Sequence, residues 1–246
     1  MMLMPARQEV AAAAPSSWLE LPHGGWLQAQ LSQALAPHCA KVFGYYLARV
    51  GHLAHELELN ELRVRHQFSA TRSGAGDIHT DFEYWPFAEG VLDAVVMVGQ
   101  LEFERDPHQV LREMSRSLIA DGHLILAGLN PLCPARWVGF WPPHLQQLPW
   151  RGRYFSRARV CDWLNLLNFE IVASGYTAPS LLLARTPSPS FGLSHLSQVL
   201  PAVGSWYYLV AKKREYPLTP VRLKRPSKTP LNAVPAVQRI NDGGRY

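Results

Sequence analysis

Asp77-Ile-His-Thr-Asp-Phe-Glu-Tyr-Trp-Pro-Phe-Ala-Glu-Gly90 opens the stretch that decides the fold of this chain. Val91 to Val98 follows, apolar almost throughout apart from Asp93, as expected of a strand covered on both faces of a sheet. Asp106-Pro107 then supplies an N-cap with proline at the first helical position. Val110, Leu111, Met114 and Leu118 give that helix one buried stripe. Asp121-Gly122 turns the chain into another apolar run, His123 to Gly128. A strand, a helix and a strand in this order predict an α/β sheet joined by right-handed crossovers.

The pattern extends in both directions. Upstream, Trp26, Leu27, Leu31 and Leu35 recur at helical spacing, predicting a helix from about Gly25 to Ala36 that Pro37 ends. Val42 to Val50 is rich in strand formers and closes at Gly51. Leu62 to Phe68 is a weaker strand, and Arg72 to Gly76 a Ser/Gly loop. Downstream, Ser156 caps a helix with Val160, Trp163, Leu164 and Leu167 on one face, and Phe169 to Ala173 follows as a strand. Two irregular stretches, Pro131 to Arg153 and Pro179 to Gly204, flank this unit before a last strand from Trp206 to Ala211.

Thr80-Asp81-Phe82-Glu83-Tyr84-Trp85-Pro86-Phe87 resembles the Gly-Asp-x-x-x-Leu-Pro-Phe motif of class I S-adenosylmethionine (SAM)-dependent methyltransferases, in their type-11-like branch. Asp106, Pro107, Leu111, Glu113 and Arg116 resemble the helix that follows in that family, with one residue's slip. The resemblance covers Asp77 to Asn130 and, more loosely, the chain on to Ala173. It implies a Rossmann-like, mainly parallel seven-stranded sheet flanked by helices and ending in an antiparallel hairpin. It also implies SAM as cofactor.

By the same resemblance, Asp81 would accept a hydrogen bond from the adenine amino group, while the Phe82 backbone meets the ring. Gly51, Gly99 and Gln100 would complete the cofactor rim. Glu102 falls on the acceptor side of the cleft, and the aromatic loop carrying Trp137 and Trp141 falls where the family covers its acceptor. Solvated loop positions for Gln100 and Glu102, a turn cap for Asp81 and a packed insertion for the aromatic loop are the plainer alternatives. Asp93 matches the entry to the family's fourth strand and is expected to anchor a strand end.

The Gly-rich half of the family pattern is degenerate. Arg49-Val50-Gly51-His52-Leu53-Ala54-His55 keeps one glycine; Arg49 stands for the strand-end acid, and Leu53 and His55 for the later glycines. Leu53 would fill the space of the cofactor's amino-acid part. Gln67 to Arg72 has no acid for the ribose hydroxyls, leaving Ser69 as a neutral substitute. Weak or lost SAM binding follows. Two functions therefore compete: methyl transfer to a small-molecule acceptor, and an inactive pseudo-methyltransferase serving as a binding or interaction module.

Size and composition agree with one domain. The chain has 246 residues, 48% apolar and 17% charged, enough to bury a sizeable core. Cys39, Cys133 and Cys161 are scattered and odd in number, so a reducing, cytoplasmic setting is expected. His52 and His55 have only Glu56 beside them, which predicts no metal site. No apolar run reaches the roughly 20 residues of a membrane span. Residues 1–17 read as a flexible leader and 18–215 as the domain. Residues 216–246, with five prolines and a basic excess, read as a disordered tail capable of weak polyanion contact.

Overall fold

A computed structural model describes residues 12–133, 152–179 and 204–215. All lie in a unit spanning Met1–Glu215; the basic tail, most of the leader and the aromatic loop lie outside the described residues. The elements are α1 (Gly24–Cys39), β1 (Phe43–Val50), α2 (His52–Glu56), β2 (Arg63–Thr71), β3 (Ile78–His79) and β4 (Leu92–Val98). After these come α3 (Pro107–Ser117), β5 (Leu118–Leu129), α4 (Arg157–Leu166), β6 (Phe169–Thr177) and β7 (Trp206–Lys213). Short 3-10 turns occupy Trp18–Glu20, Phe82–Tyr84 and Leu101–Phe103.

The seven strands form one sheet in the order β3-β2-β1-β4-β5-β7-β6. Strands β1 to β5 run parallel, and β7 pairs antiparallel with both β5 and β6. Sequence order reverses between β1 and β4, the switch point at which open α/β sheets leave a crevice beyond their strand ends. The expected seven-stranded, mainly parallel architecture with its terminal hairpin is the observed one.

Both faces of the sheet are packed. On one, Leu27, Leu31 and Leu35 of α1 meet Leu47, Val96, Val98 and Trp206. On the other, Val110, Leu111 and Met114 of α3 and Val160, Trp163 and Leu164 of α4 meet Val95, Met97 and Leu124. The predicted cap of α3 is present: the Asp106 carboxylate accepts from the backbone N–H of His108 at 3.0 Å and of Gln109 at 3.1 Å. Ser156 caps α4 by accepting from Arg159 N–H.

Two boundaries differ from expectation. Pro37 does not end α1, which runs one more turn to Cys39. Cys39 is completely buried, and anchoring the last turn in the core offsets the lost backbone donor. Asp121-Gly122 does not separate two elements but interrupts one long strand; Asp121 takes a φ of 65°, and β5 shifts register against β4 there. The β1–β2 crossover carries only the five-residue α2, and no helix separates β2, β3 and β4. That economy leaves the start of β2 uncovered, with Arg63, Arg65, His66 and Gln67 exposed.

Candidate functional site

The C-terminal ends of β1 and β4 build one rim. Gly51 leaves β1 with a φ of 88°, and a side chain there would put its Cβ 2.5 Å from Gln100 Oε1. Glycine is required on both counts. The Gln100 amide donates from Nε2 to Glu104 Oε1 at 2.5 Å, and Arg72 Nη2 donates to Glu104 Oε2 at 2.5 Å. Arg72 Nη2 also lies 2.9 Å from Asp81 Oδ1, and its guanidinium carbon sits 5.4 Å from the Phe82 ring centre. Continuous contact thus joins Gly51, Gln100, Glu104, Arg72, Asp81 and Phe82. Gly99 is next to Gln100 on the same rim.

This network has a buried end and an open end. The Glu104 side chain has no solvent exposure, whereas Arg72 and Asp81 keep 35% and 42%. A carboxylate without water needs its charge met locally, and the guanidinium and the amide supply this. Burial pulls the Arg72 guanidinium down, but its bonds to Glu104 and Asp81 outweigh that and hold it above the usual arginine range.

Asp81 does cap a turn: Oδ1 accepts from Glu83 N–H at 3.1 Å at the start of Phe82–Tyr84. Buried Glu83 fixes that turn to the entry of α3, accepting from Asp106 N–H at 3.0 Å and from Arg105 Nε at 3.0 Å. Both partners of Asp81 take Oδ1, and Oδ2 carries no hydrogen bond among the described residues. A half-exposed carboxylate with one free oxygen, beside Phe82, fits the amino group of an adenine.

Beside Gly99 the rim is apolar. Leu53 is buried, and a Cβ on Gly99 would lie 2.9 Å from Leu53 Cδ1 and 3.0 Å from the Trp206 ring. Trp18 closes the cluster, donating from Nε1 to Leu53 O at 3.0 Å and packing 5.5 Å from Trp206 between ring centres. Leucine and two tryptophans thus form one buried cluster beside Gly99. Glu56, the acid beside His52 and His55, anchors the same N-terminal turn by accepting from Trp18 N–H at 3.0 Å.

Arg49 corrects a simple charge-reversal view of this loop. Its guanidinium donates to Leu57 O at 2.6 Å, Ala54 O at 3.4 Å and Gln67 Oε1 at 2.8 Å, capping the chain as it leaves α2. Ser69 is likewise committed: its N–H and hydroxyl donate to Asp77 Oδ2 at 2.7 and 2.8 Å. Those bonds hold the Asp77 carboxyl below the usual range. Asp77, eight residues on, thus brings a carboxylate to Ser69 near the end of β2. Sequence reasoning missed Arg72, Glu104 and Asp77 as partners of this rim. Arg72, a cation directly following β2, was the available signal.

Gln100 and Glu102 are both buried, so neither is a solvated loop residue. Glu102 Oε1 accepts from Leu129 N–H at 3.1 Å, while Oε2 has no hydrogen-bond partner. Burial pushes its carboxyl up to about 7. Tyr207 crowds with it over the backbone of Gly128, and burial first, then Glu102, raises the phenol well above its ordinary value. Trp137 and Trp141 lie outside the described residues.

The sheet order and its switch point are those of the class I SAM-dependent methyltransferase fold. A family model described as "Methyltransferase domain" matches residues 28–126. The uncharacterized protein YafS of Escherichia coli (strain K12) is 32% identical over 230 residues, 93% of each chain. The chain belongs to one family with YafS, and its residues 28–126 carry the match to a methyltransferase domain. Among solved structures, a SAM-dependent methyltransferase of Thermotoga maritima superposes with a TM-score of 0.54 at 17% identity, over 75% of this chain and 89% of that one. A geranyl diphosphate C-methyltransferase of Streptomyces coelicolor A3(2) gives 0.54 at 16% identity, over 85% and 92%. At those identities the likeness carries the fold alone.

Proposed function

We propose that this protein binds SAM through its adenosine end and transfers the methyl group to a small-molecule acceptor. The observation behind this reading is the convergence of Gly51, Asp81, Phe82, Gly99 and Gln100 on one rim, with Asp81 Oδ2 free. Asp81 would accept from the adenine amino group, Phe82 would meet the ring, and Gly51 and Gly99 would let the backbone approach. SAM supplies a methyl group already activated on a sulfonium. The protein's share is then alignment and exclusion of water. Glu102, with Trp137 and Trp141, is the proposed acceptor side; its buried carboxyl could take a proton from a hydroxyl or protonated amine. The odd, scattered cysteines Cys39, Cys133 and Cys161 are in keeping with a reducing cytoplasm. No helix among the described residues is long and apolar enough to cross a membrane.

Binding should be weak. A charged hydrogen bond is worth on the order of 1.5–3 kcal/mol, or about one to two decades in affinity. Neither family acid is present at its own strand end. Calorimetric titration with S-adenosylhomocysteine should therefore give a Kd above about 1 μM, and a submicromolar value would overturn this account of the loop.

A second reading is favoured by the packing of Leu53 against Gly99 and Trp206. In it the fold is retained as a binding or interaction module that has lost its cofactor. Absence of heat at millimolar S-adenosylhomocysteine would select this reading over the first.

A further inference from the structure

At the end of the sheet opposite the cofactor rim, β1 begins with three aromatic side chains in solvent: Phe43 is 76% exposed, Tyr45 48% and Tyr46 41%. Six residues separate Tyr45 from Gly51, or about 20 Å of strand. In the parallel register Phe43 lies opposite Arg63 and Tyr46 opposite His66, which puts Tyr45 level with Arg65. Each exposed aromatic of β1 therefore has a basic neighbour on β2. The groups are also in contact. Arg65 sits over the Tyr45 ring at 5.5 Å, and His66 lies 5.1 Å from Tyr45 and 5.7 Å from Tyr46 between ring centres. Tyr45 and Tyr46 meet edge-on at 5.2 Å.

Consecutive strand residues ordinarily face opposite ways, so two adjacent tyrosines both reaching His66 need a cause. Asp93 provides it. Its Oδ2 accepts from the backbone N–H of Tyr45 and of Tyr46, each at 2.8 Å, and β1 pairs with β4 only from Leu47 onward. Gly44 makes room, since a Cβ there would come 2.7 Å from Asp93 Oδ1. Among the described residues no helix covers the platform, as the short crossovers of this half of the sheet allow. Exposed aromatic rings interleaved with arginines on a sheet are the chemistry that stacks bases while neutralising phosphates.

We propose that the Phe43, Tyr45, Tyr46, Arg63, Arg65 and His66 platform binds single-stranded nucleic acid. The rings stack on bases, and the guanidinium groups meet the phosphates. The site is separate from the cofactor rim and does not depend on SAM binding.

The test is fluorescence anisotropy of a labelled 12-mer oligouridylate with the full chain. Binding is expected in about 50 mM salt and should weaken steeply by about 200 mM. Tyr45→Ala/Tyr46→Ala is expected to reduce affinity at least tenfold with an unchanged melting curve, because both rings are substantially exposed. Arg63→Ala/Arg65→Ala should reduce the salt slope by about 1.4. Failure of the wild-type chain to bind, or affinity unchanged by the tyrosine substitutions, overturns the proposal; the latter assigns any binding to the basic tail. Equal affinity for a 12-bp duplex removes the stacking role and also overturns it. Self-association in sedimentation velocity that the tyrosine substitutions abolish would give the platform to a second copy of the chain instead.

Discussion

The two sides of the cofactor rim have been treated differently. On the adenine side, Asp81 and Phe82 stand on a turn clamped to α3, with a carboxylate oxygen still free. On the methionine side, Leu53, Trp18 and Trp206 have closed the space with apolar bulk, and Arg49 has become a cap for α2. Between them Gln100, Glu104 and Arg72 form a polar bridge. The contrast teaches that one rim can be core on one side and keep an unpaired carboxylate oxygen on the other.

The largest effect is expected where this contrast is most extreme. Leu53→Gly removes a buried side chain wedged between Gly99 and Trp206. A leucine-sized cavity costs about 2–5 kcal/mol and glycine inside a helix about 1 more, so chemical denaturation should show a loss of ~3–6 kcal/mol. A loss below about 1 kcal/mol would mean Leu53 is not core, and the comparison would fail. If the leucine alone limits cofactor entry, the same variant should bind S-adenosylhomocysteine more tightly than the wild-type chain.

Glu102 carries the next effect. Its folded carboxyl sits at about 7, above the ordinary 4.5. The folded state therefore keeps a proton that the unfolded chain releases between those values. The contribution to stability is full below about pH 4.5, declines as pH rises to about 7, and stays reduced beyond. At 1.36 kcal/mol per unit the span is ~3 kcal/mol. Glu102→Gln should melt several degrees above the wild type at pH 8 and close to it at pH 4.5. Equal melting temperatures at both pH values would show that Glu102 is ionised at little cost.

Arg72→Ala tests the bridge. It leaves Glu104 buried without its cation, so a loss of ~2–3 kcal/mol is expected in chemical denaturation. Unchanged stability would show that Glu104 does not depend on this cation. The smallest effect is expected at Asp81→Asn, since asparagine caps as well as aspartate. Its stability should change by less than ~0.5 kcal/mol while affinity for S-adenosylhomocysteine falls about tenfold. Unchanged affinity would remove Asp81 from the site.

The fold was largely legible in the sequence because its signals are local. The Asp106-Pro107 cap, the i, i+3, i+4 stripes of α3 and α4 and the apolar run of β4 each depend on neighbours a few residues away. Pro37 and Asp121-Gly122 misled for the opposite reason. Their local preferences favour a break, but burial of Cys39 and pairing of β5 with β4 and β7 overrode them. The site was legible in part. Gly51, Asp81 and Gly99 could be placed from motif and order, whereas the bond from Ser69 to Asp77 and the bridge from Arg72 to Glu104 could not.

The sequence by itself determined the α/β alternation, the element that presents Asp81 and the absence of the usual glycines and strand-end acids. Periodicity, capping and residue identity suffice for such statements. Only the tertiary structure decided what took the place of the missing loop. Residues 18, 53, 99 and 206 must be brought together before Leu53 can be seen as core, and 72 must meet 104 before a surface arginine becomes the counter-charge of a buried acid. The same holds for the tyrosine platform, where a carboxylate from β4 turns two neighbouring rings outward. Contacts between residues far apart in the chain are set by strand order and burial, and one strand's sequence does not encode its neighbour.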